Sequence, residues 1–493
     1  MTSTLVRSAT HPATRVGWRW FVIVAATGVA FWSTWVRLID EARSGTQISY
    51  VFVIPLLVVL AAQGIARRRA DELPIHDRQT DNIVGGLVLI GSIGVKGLLT
   101  PRYSDEYQLM HLDLLACWAF VLGSAILLFG LRPVTRFWPA WLLLLTIAPL
   151  PYRQIVVALG GSRFAVGFVV IVIAAVTVAI AVSRDTRRAW IGFALTMIVG
   201  TLFLAVLLHF QPYPPRVIVQ IVPSVGAGVV VSSLLFVYRR RGTSLAPLDR
   251  PMSKITVPNA TRGIPAVVLA AVVLLLIPLP NQEILPVSEG PPAKAAPGLT
   301  IPLEWVQRDM TTDYNWPRHY FGDRATLTRQ RWQAIAGRTD WDVQGRRRDV
   351  AVDTLTVRTA AVLDVYPDDT MYSVGSARVS PAIEVDLGSG ITGMLYTIVD
   401  DKRLLTWSKL TFAWTRDATT QRISVISVDD HEPGADFPES TPSMASNGMN
   451  SLTVLLRGSR ATQDSSPEYK DRNMLLTLGR DIIEAQKLTE ATP

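Results

Sequence analysis

Residues 163–182 read "RFAVGFVVIVIAAVTVAIAV", with no charge after the first position. At 1.5 Å of rise per residue, about 20 helical residues cross about 30 Å of hydrocarbon. Nine runs of this kind occupy the first 280 residues: 18–38, 48–66, 83–100, 109–130, 137–152, 164–183, 189–210, 217–238 and 264–280. A chain with this many cannot keep them all in a water-soluble core. The first run is too long and too rich in Trp for a cleaved signal peptide. The fifth carries Pro139, Pro149 and Pro151 and is expected to be kinked or re-entrant.

Composition agrees. Only 18% of the 493 residues are charged, against about a quarter in a soluble protein. The +8 formal charge is concentrated in short loops between apolar runs. That is a topology signal, not a nucleic-acid footprint. With the N-terminus on one side, that side holds 18 Lys or Arg and the other holds six, namely Arg37, Arg43, Arg102, Arg153, Arg163 and Arg216. The positive-inside rule then puts the N-terminus in the cytoplasm and, with nine spans, the C-terminal part outside. Seven lysines against 41 arginines suggest a GC-rich bacterial genome. Membrane lipids are implied as a partner, and no cofactor and no nucleic acid is implied.

Past Pro280 the character changes. Residues 281–299 are rich in Pro and polar residues and read as a linker. Residues 300–493 read as a water-soluble α+β domain. "DVAVDTLTV", "AIEVDLG", "ITGMLYTIV", "LLTWSKLTFAW" and "QRISVISV" alternate or are β-branched, so antiparallel strands are expected. "ATLTRQRWQAIA" has helical spacing, and "SNGMNSLTVLLRGSRA" and "NMLLTLGRDIIEAQKL" also read as helices. Trp305, Trp332, Trp341, Trp407 and Trp414 are most simply core or surface aromatics. Asp429, Asp430, His431 and Glu432 form "DDHEP", which reads as a solvated turn.

Nucleotide-binding glycine loops, HExxH and GxSxG are absent, and the six histidines lack metal-ligand spacing. Ionisable residues inside apolar runs are therefore the candidates, because burying them in lipid demands a partner or a purpose. His111 and Asp113 lie near the outer end of the fourth run, and Cys117 about 9 Å deeper. His209 ends the seventh run, Arg216 begins the eighth, and Arg153 lies between the fifth and sixth. Lys96 is placed to snorkel from the third. A catalytic reading takes Cys117 as nucleophile, His209 or His111 as base, and Arg216 or Arg153 as the cation. A carrier or lipid-handling reading takes Lys96 and Asp113 as a polar gate. The bland reading makes Cys117 a packing residue, the arginines headgroup cations, and Lys96 and Asp113 a structural pair. "GSIGVKG" and "GSAILLFG" supply small residues for close helix contact.

Residues 47–160 resemble the exosortase/archaeosortase family of membrane transpeptidases. "SYVFVIPLLVVLAAQGIARRR" looks like that family's early span with its basic cytoplasmic end. "LLACWAFVLGSAILLFGLRPVTRFWPAWLLLLTIAPLPYRQIV" resembles its Gly-rich span, short Arg loop and Pro-terminated span, and "APLPYRQIV" is the most specific piece. The C-terminal part is similar to the extracytoplasmic domain that often follows such enzymes. The resemblance implies a role in surface-protein sorting or exopolysaccharide assembly, with sorting signals or the polysaccharide machinery as partners. The family's nucleophilic Cys-Ser-Gly and its Asn-x-x-Arg follow the matched stretch. Here no cysteine follows "APLPYRQIV", and Cys117 lies upstream of it. The expectation is a degenerate member without thiol transpeptidase activity.

Overall fold

The computed structural model describes residues 12–67, 78–183, 185–240, 263–282, 284–290, 299–366, 371–372, 377–401, 404–416, 419–432, 434–442, 464 and 466–488. The chain divides into two compact units. The first comprises residues 1–101, 110–156 and 163–280. The second comprises 102–109, 157–162 and 281–493. The two short segments 102–109 and 157–162, loops between expected spans, thus group with the C-terminal part.

The first unit is helical. Among the described residues, six helices are long and apolar enough to cross a membrane: Gln47–Ala66, Arg78–Tyr103, Leu112–Phe129, Arg163–Val182, Thr186–Phe210 and Arg216–Tyr238. Two bent pairs raise the number to eight if each is one span. Val16–Ala30 and Trp32–Arg43 meet at 72°, and Trp138–Leu145 and Pro149–Ala158 meet at 67°. The expected ninth span is a helix of 13 residues, Ile264–Leu276. At about 20 Å it falls short of the hydrocarbon thickness.

The two bends have different causes. Pro149 and Pro151 open the second half of the later pair, as the sequence led us to expect. The earlier pair has no proline at its break. There Lys96 Nζ donates to Ala30 O at 3.2 Å, the side-chain intrusion that bends helices. Small residues set the close contacts. A Cβ on Gly64 would lie 2.4 Å from the Ala181 backbone, so Ile54–Ala66 and Arg163–Val182 meet backbone to backbone. Gly123 approaches Gly85 O in the same way. Gly91 and Gly94 have no such neighbour, and Ser92 instead donates to Ala116 O.

The second unit is built on an antiparallel sheet. Its strands are β1 (Val287–Glu289), β2 (Trp305–Gln307), β3 (Thr312–Tyr314), β4 (Thr326–Ala334), β5 (Asp349–Val357), β6 (Arg378–Val379), β7 (Ile383–Asp386), β8 (Thr392–Asp400), β9 (Leu405–Arg416) and β10 (Thr419–Val428). The order β4-β5-β10-β9-β8 forms the centre. β2 and β3 share the outer edge of β4, and β6 and β7 share that of β8. β1 adds in parallel to the end of β9, inside the stretch read as linker.

Both faces of the sheet are covered. The Arg472–Leu488 helix packs Leu475, Leu478 and Ile482 against Leu410, Phe412, Trp414 and Val425. The opposite face lies under Phe321, Leu363, Tyr366 and Met371. All five tryptophans singled out above are buried.

One element departs from expectation. "ATLTRQRWQAIA" contains strand β4, not a helix. Arg329 is buried and paired through Nε and an Nη with both oxygens of Asp353, its register partner on β5. That tertiary pairing overrides local spacing. The expected helix at 446–461 lies outside the described residues.

Candidate functional site

The ionisable residues of the helical unit converge on Glu41, which the sequence reading did not single out. Glu41 lies in the last turn of Trp32–Arg43, where Thr34, Leu38 and Glu41 share the buried stripe. Asp40 and Arg43, on the other side of that helix, are mostly exposed. Gly45, at φ +82°, turns the chain back after the helix. This brings Thr46 Oγ1 onto Glu41 O at 2.9 Å and Glu41 Oε1 at 3.3 Å.

Three further segments close on the carboxylate. Arg153, on the Pro-opened Pro149–Ala158 helix, donates from Nη2 to Glu41 Oε1 at 2.8 Å. His111 Nε2 lies 2.7 Å from Glu41 Oε2. Asp113 Oδ1 lies 3.5 Å from His111 Nδ1. His111 is 1% exposed and Arg153 2%. Arg153 is therefore no headgroup cation. His111 caps Leu112–Phe129 from the left-handed region, φ 43° and ψ 56°. A non-glycine residue held there costs about 1–3 kcal/mol and is found disproportionately at working sites.

Beside the ionic group is a second polar layer. Tyr50 and Tyr152 stack with ring centroids 4.0 Å apart. Tyr152 OH donates to Val166 O at 3.0 Å, and Gln220 Nε2 donates to Gln47 O and to Tyr152 OH. Gln47 Oε1, Ser49 Oγ and Gln220 Oε1 are buried without a hydrogen bond.

The remaining candidates lie elsewhere. Lys96 is 1% exposed and does not snorkel. It sits in a π-helical turn, Val95–Leu99, and donates to Ala30 O and Leu274 O. Leu274 O lies four residues before Pro278, which has no N–H to offer it. Lys96 thus satisfies carbonyls at helix ends and does not ion-pair with Asp113. Cys117 is buried among Ala116, Phe120 and Leu89, and its charged neighbours are Asp113 and Lys96. Among the described residues no histidine is a charged neighbour of it. His209 is exposed and packs edge-on to Phe210. Arg216 is at the rim, donating to Gly45 O at 3.1 Å. The expected trio of Cys117, His209 and Arg216 does not assemble. Of the expected polar group, His111, Asp113 and Arg153 do, around Glu41.

In the second unit the "DDHEP" turn is fully engaged. Asp429 pairs with Lys470, Glu432 with Arg346, and Asp430 accepts from Glu432 N. His431 Nδ1 lies 2.6 Å from Asp342 Oδ2. Asp342 also accepts from Arg346 Nε and Nη2 and from the Gln344 and Arg346 amides. The Arg346 guanidinium and these amides hold its carboxyl well below the usual carboxylate range.

No family profile, curated protein or solved structure matches this chain. The site is therefore read on its chemistry. Among the described residues no three His, Cys, Asp or Glu side chains are grouped to hold a metal ion. The thiol is outside the cluster, and the Tyr152 and Thr46 hydroxyls are hydrogen-bonded. The arrangement can hold a proton on His111. It can also present Arg153 to an anion that displaces Glu41.

Proposed function

We propose that this protein is an exosortase-like integral membrane protein of a bacterial plasma membrane. It acts in surface-protein sorting or exopolysaccharide and envelope assembly, and Cys117 is not a nucleophile in it. The observation that carries this reading is the position of Arg153. It belongs to "APLPYRQIV", the most specific piece of the family resemblance, and it is the cation of the buried cluster. Buried charge in a membrane segment is kept for a purpose more often than for stability.

The orientation follows the arginine bias, with the N-terminus cytoplasmic and the strand unit outside. The grouping of 102–109 and 157–162 with residues 281–493 supports it, because the sequence reading puts all three on the outer side. The strand unit is then the binding element for the outer-face partner.

Two other readings are weaker. An active thiol transpeptidase needs a base at Cys117, and its charged neighbours are Asp113 and Lys96. A carrier is favoured by two broken helices near buried charges. Its proposed gate is weakened by Lys96, which is committed to two carbonyls.

Complementation of a chromosomal deletion tests the proposal, with surface-protein processing and exopolysaccharide yield as readouts. The wild type and Cys117→Ala restore both, whereas Arg153→Met at equal membrane abundance does not. Loss of function in Cys117→Ala would revive the thiol enzyme. A deletion that leaves both readouts unchanged would overturn the assigned role.

A further inference from the structure

We propose that His111, set between Glu41 and Asp113, is a proton-binding site inside the helical unit. When it holds its second proton, it ties the start of Leu112–Phe129 to the end of Trp32–Arg43. The inference uses the cluster on which the proposed function rests, but it concerns protonation and not sorting.

The geometry is a carboxylate, an imidazole and a carboxylate in series. Glu41 Oε2 lies 2.7 Å from Nε2, and Asp113 Oδ1 lies 3.5 Å from Nδ1. Ionised carboxylates only accept, and a neutral imidazole has one N–H. With one proton, His111 can satisfy Glu41 or Asp113. The other contact then sets a lone pair against an oxygen. A second proton gives each carboxylate a donor and closes the longer Nδ1 contact. The proton comes from water and returns to it, and no other bond changes.

The other members of the cluster flank Glu41. From the Trp32–Arg43 turn come Glu41 and Thr46, and from Gln47–Phe52 comes Tyr50. Pro149–Ala158 supplies Tyr152 and Arg153, whose guanidinium occupies the other oxygen of Glu41. On its own helix His111 faces Asp113, with Cys117 beyond, and Lys96 lies past Asp113. The left-handed backbone at His111 aims the ring between the two acids.

Nitrogen NMR of the full chain in nanodiscs, with 15N-labelled histidine, tests the inference. His111→Asn assigns the resonance, since Asn tolerates the left-handed backbone. The expected result is an imidazole that gains N–H on both nitrogens as pH falls from 9 to 5. In Asp113→Asn its midpoint moves by about one pH unit or more to lower pH. A His111 with one N–H throughout that range, or a midpoint unmoved in Asp113→Asn, overturns it. If Asp113→Asn does not fold, the wild-type spectrum at pH 5 decides, with two N–H groups expected and one contradicting. These readings stand apart from complementation, which can fail while the titration holds.

Discussion

At the scale of single residues, the decisive distinction is between charge that is paired and charge that is merely near an apolar helix. Glu41 and Arg153 are 112 positions apart and meet at 2.8 Å. Removing one partner of a buried pair leaves the other charge unmatched, at about 3–5 kcal/mol. Glu41 keeps His111 and Thr46, so Arg153→Ala should lower the unfolding free energy of the helical unit by less than that, about 1–3 kcal/mol, measured by steric trapping or denaturant in micelles. Glu41→Gln with Arg153→Met should recover most of it. Asp342 allows a pH prediction in the second unit. Its carboxyl is held below the usual range by Arg346, so its contribution is complete above the ordinary carboxylate pKa. That contribution fades as pH falls from there toward the folded value. The thermal midpoint of the second unit should drop on acidification below about pH 4, and Asp342→Asn should be less stable at neutral pH with a shallower acid limb. A variant with the same acid limb as the wild type would contradict this. The site was partly legible at this scale. His111, Asp113 and Arg153 stood out as ionisable residues in apolar stretches. Glu41 was hidden in "LIDEARSG", which reads as a polar end, although its spacing from Thr34 and Leu38 puts it on their face.

At the scale of elements, glycine and proline carry the legible information. Pro149 and Pro151 announced one bend. The other is imposed by Lys96, which no local pattern near residue 31 reveals. Strands β5 and β7 to β10 were readable because their residues are β-branched or alternate. β4 was not, because Arg329 finds its partner only across the ladder. Gly64 offers a direct test. Its Cα faces the Ala181 backbone with no room for a side chain. Gly64→Val should force the two helices apart and destabilise the helical unit by about 1–3 kcal/mol, while Gly86→Val, where nothing lies within 4 Å, should be near neutral. Equal melting of both variants would contradict the packing described.

At the scale of the whole molecule, two units answer two solvents. The apolar helices are legible from hydropathy alone, and so is the change of character after Pro280. The grouping of short segments 102–109 and 157–162 with the strand unit was not legible, because it depends on contacts far apart in sequence. The chain's single cysteine makes the topology measurable. Cys117 is buried, so a membrane-impermeant maleimide should leave the wild type unlabelled in intact cells. Val343, 96% exposed in the strand unit, is the reporter position. With Cys117→Ala in the background, Val343→Cys should label in intact cells as fully as after lysis. Labelling only after lysis would put the strand unit in the cytoplasm and contradict the account.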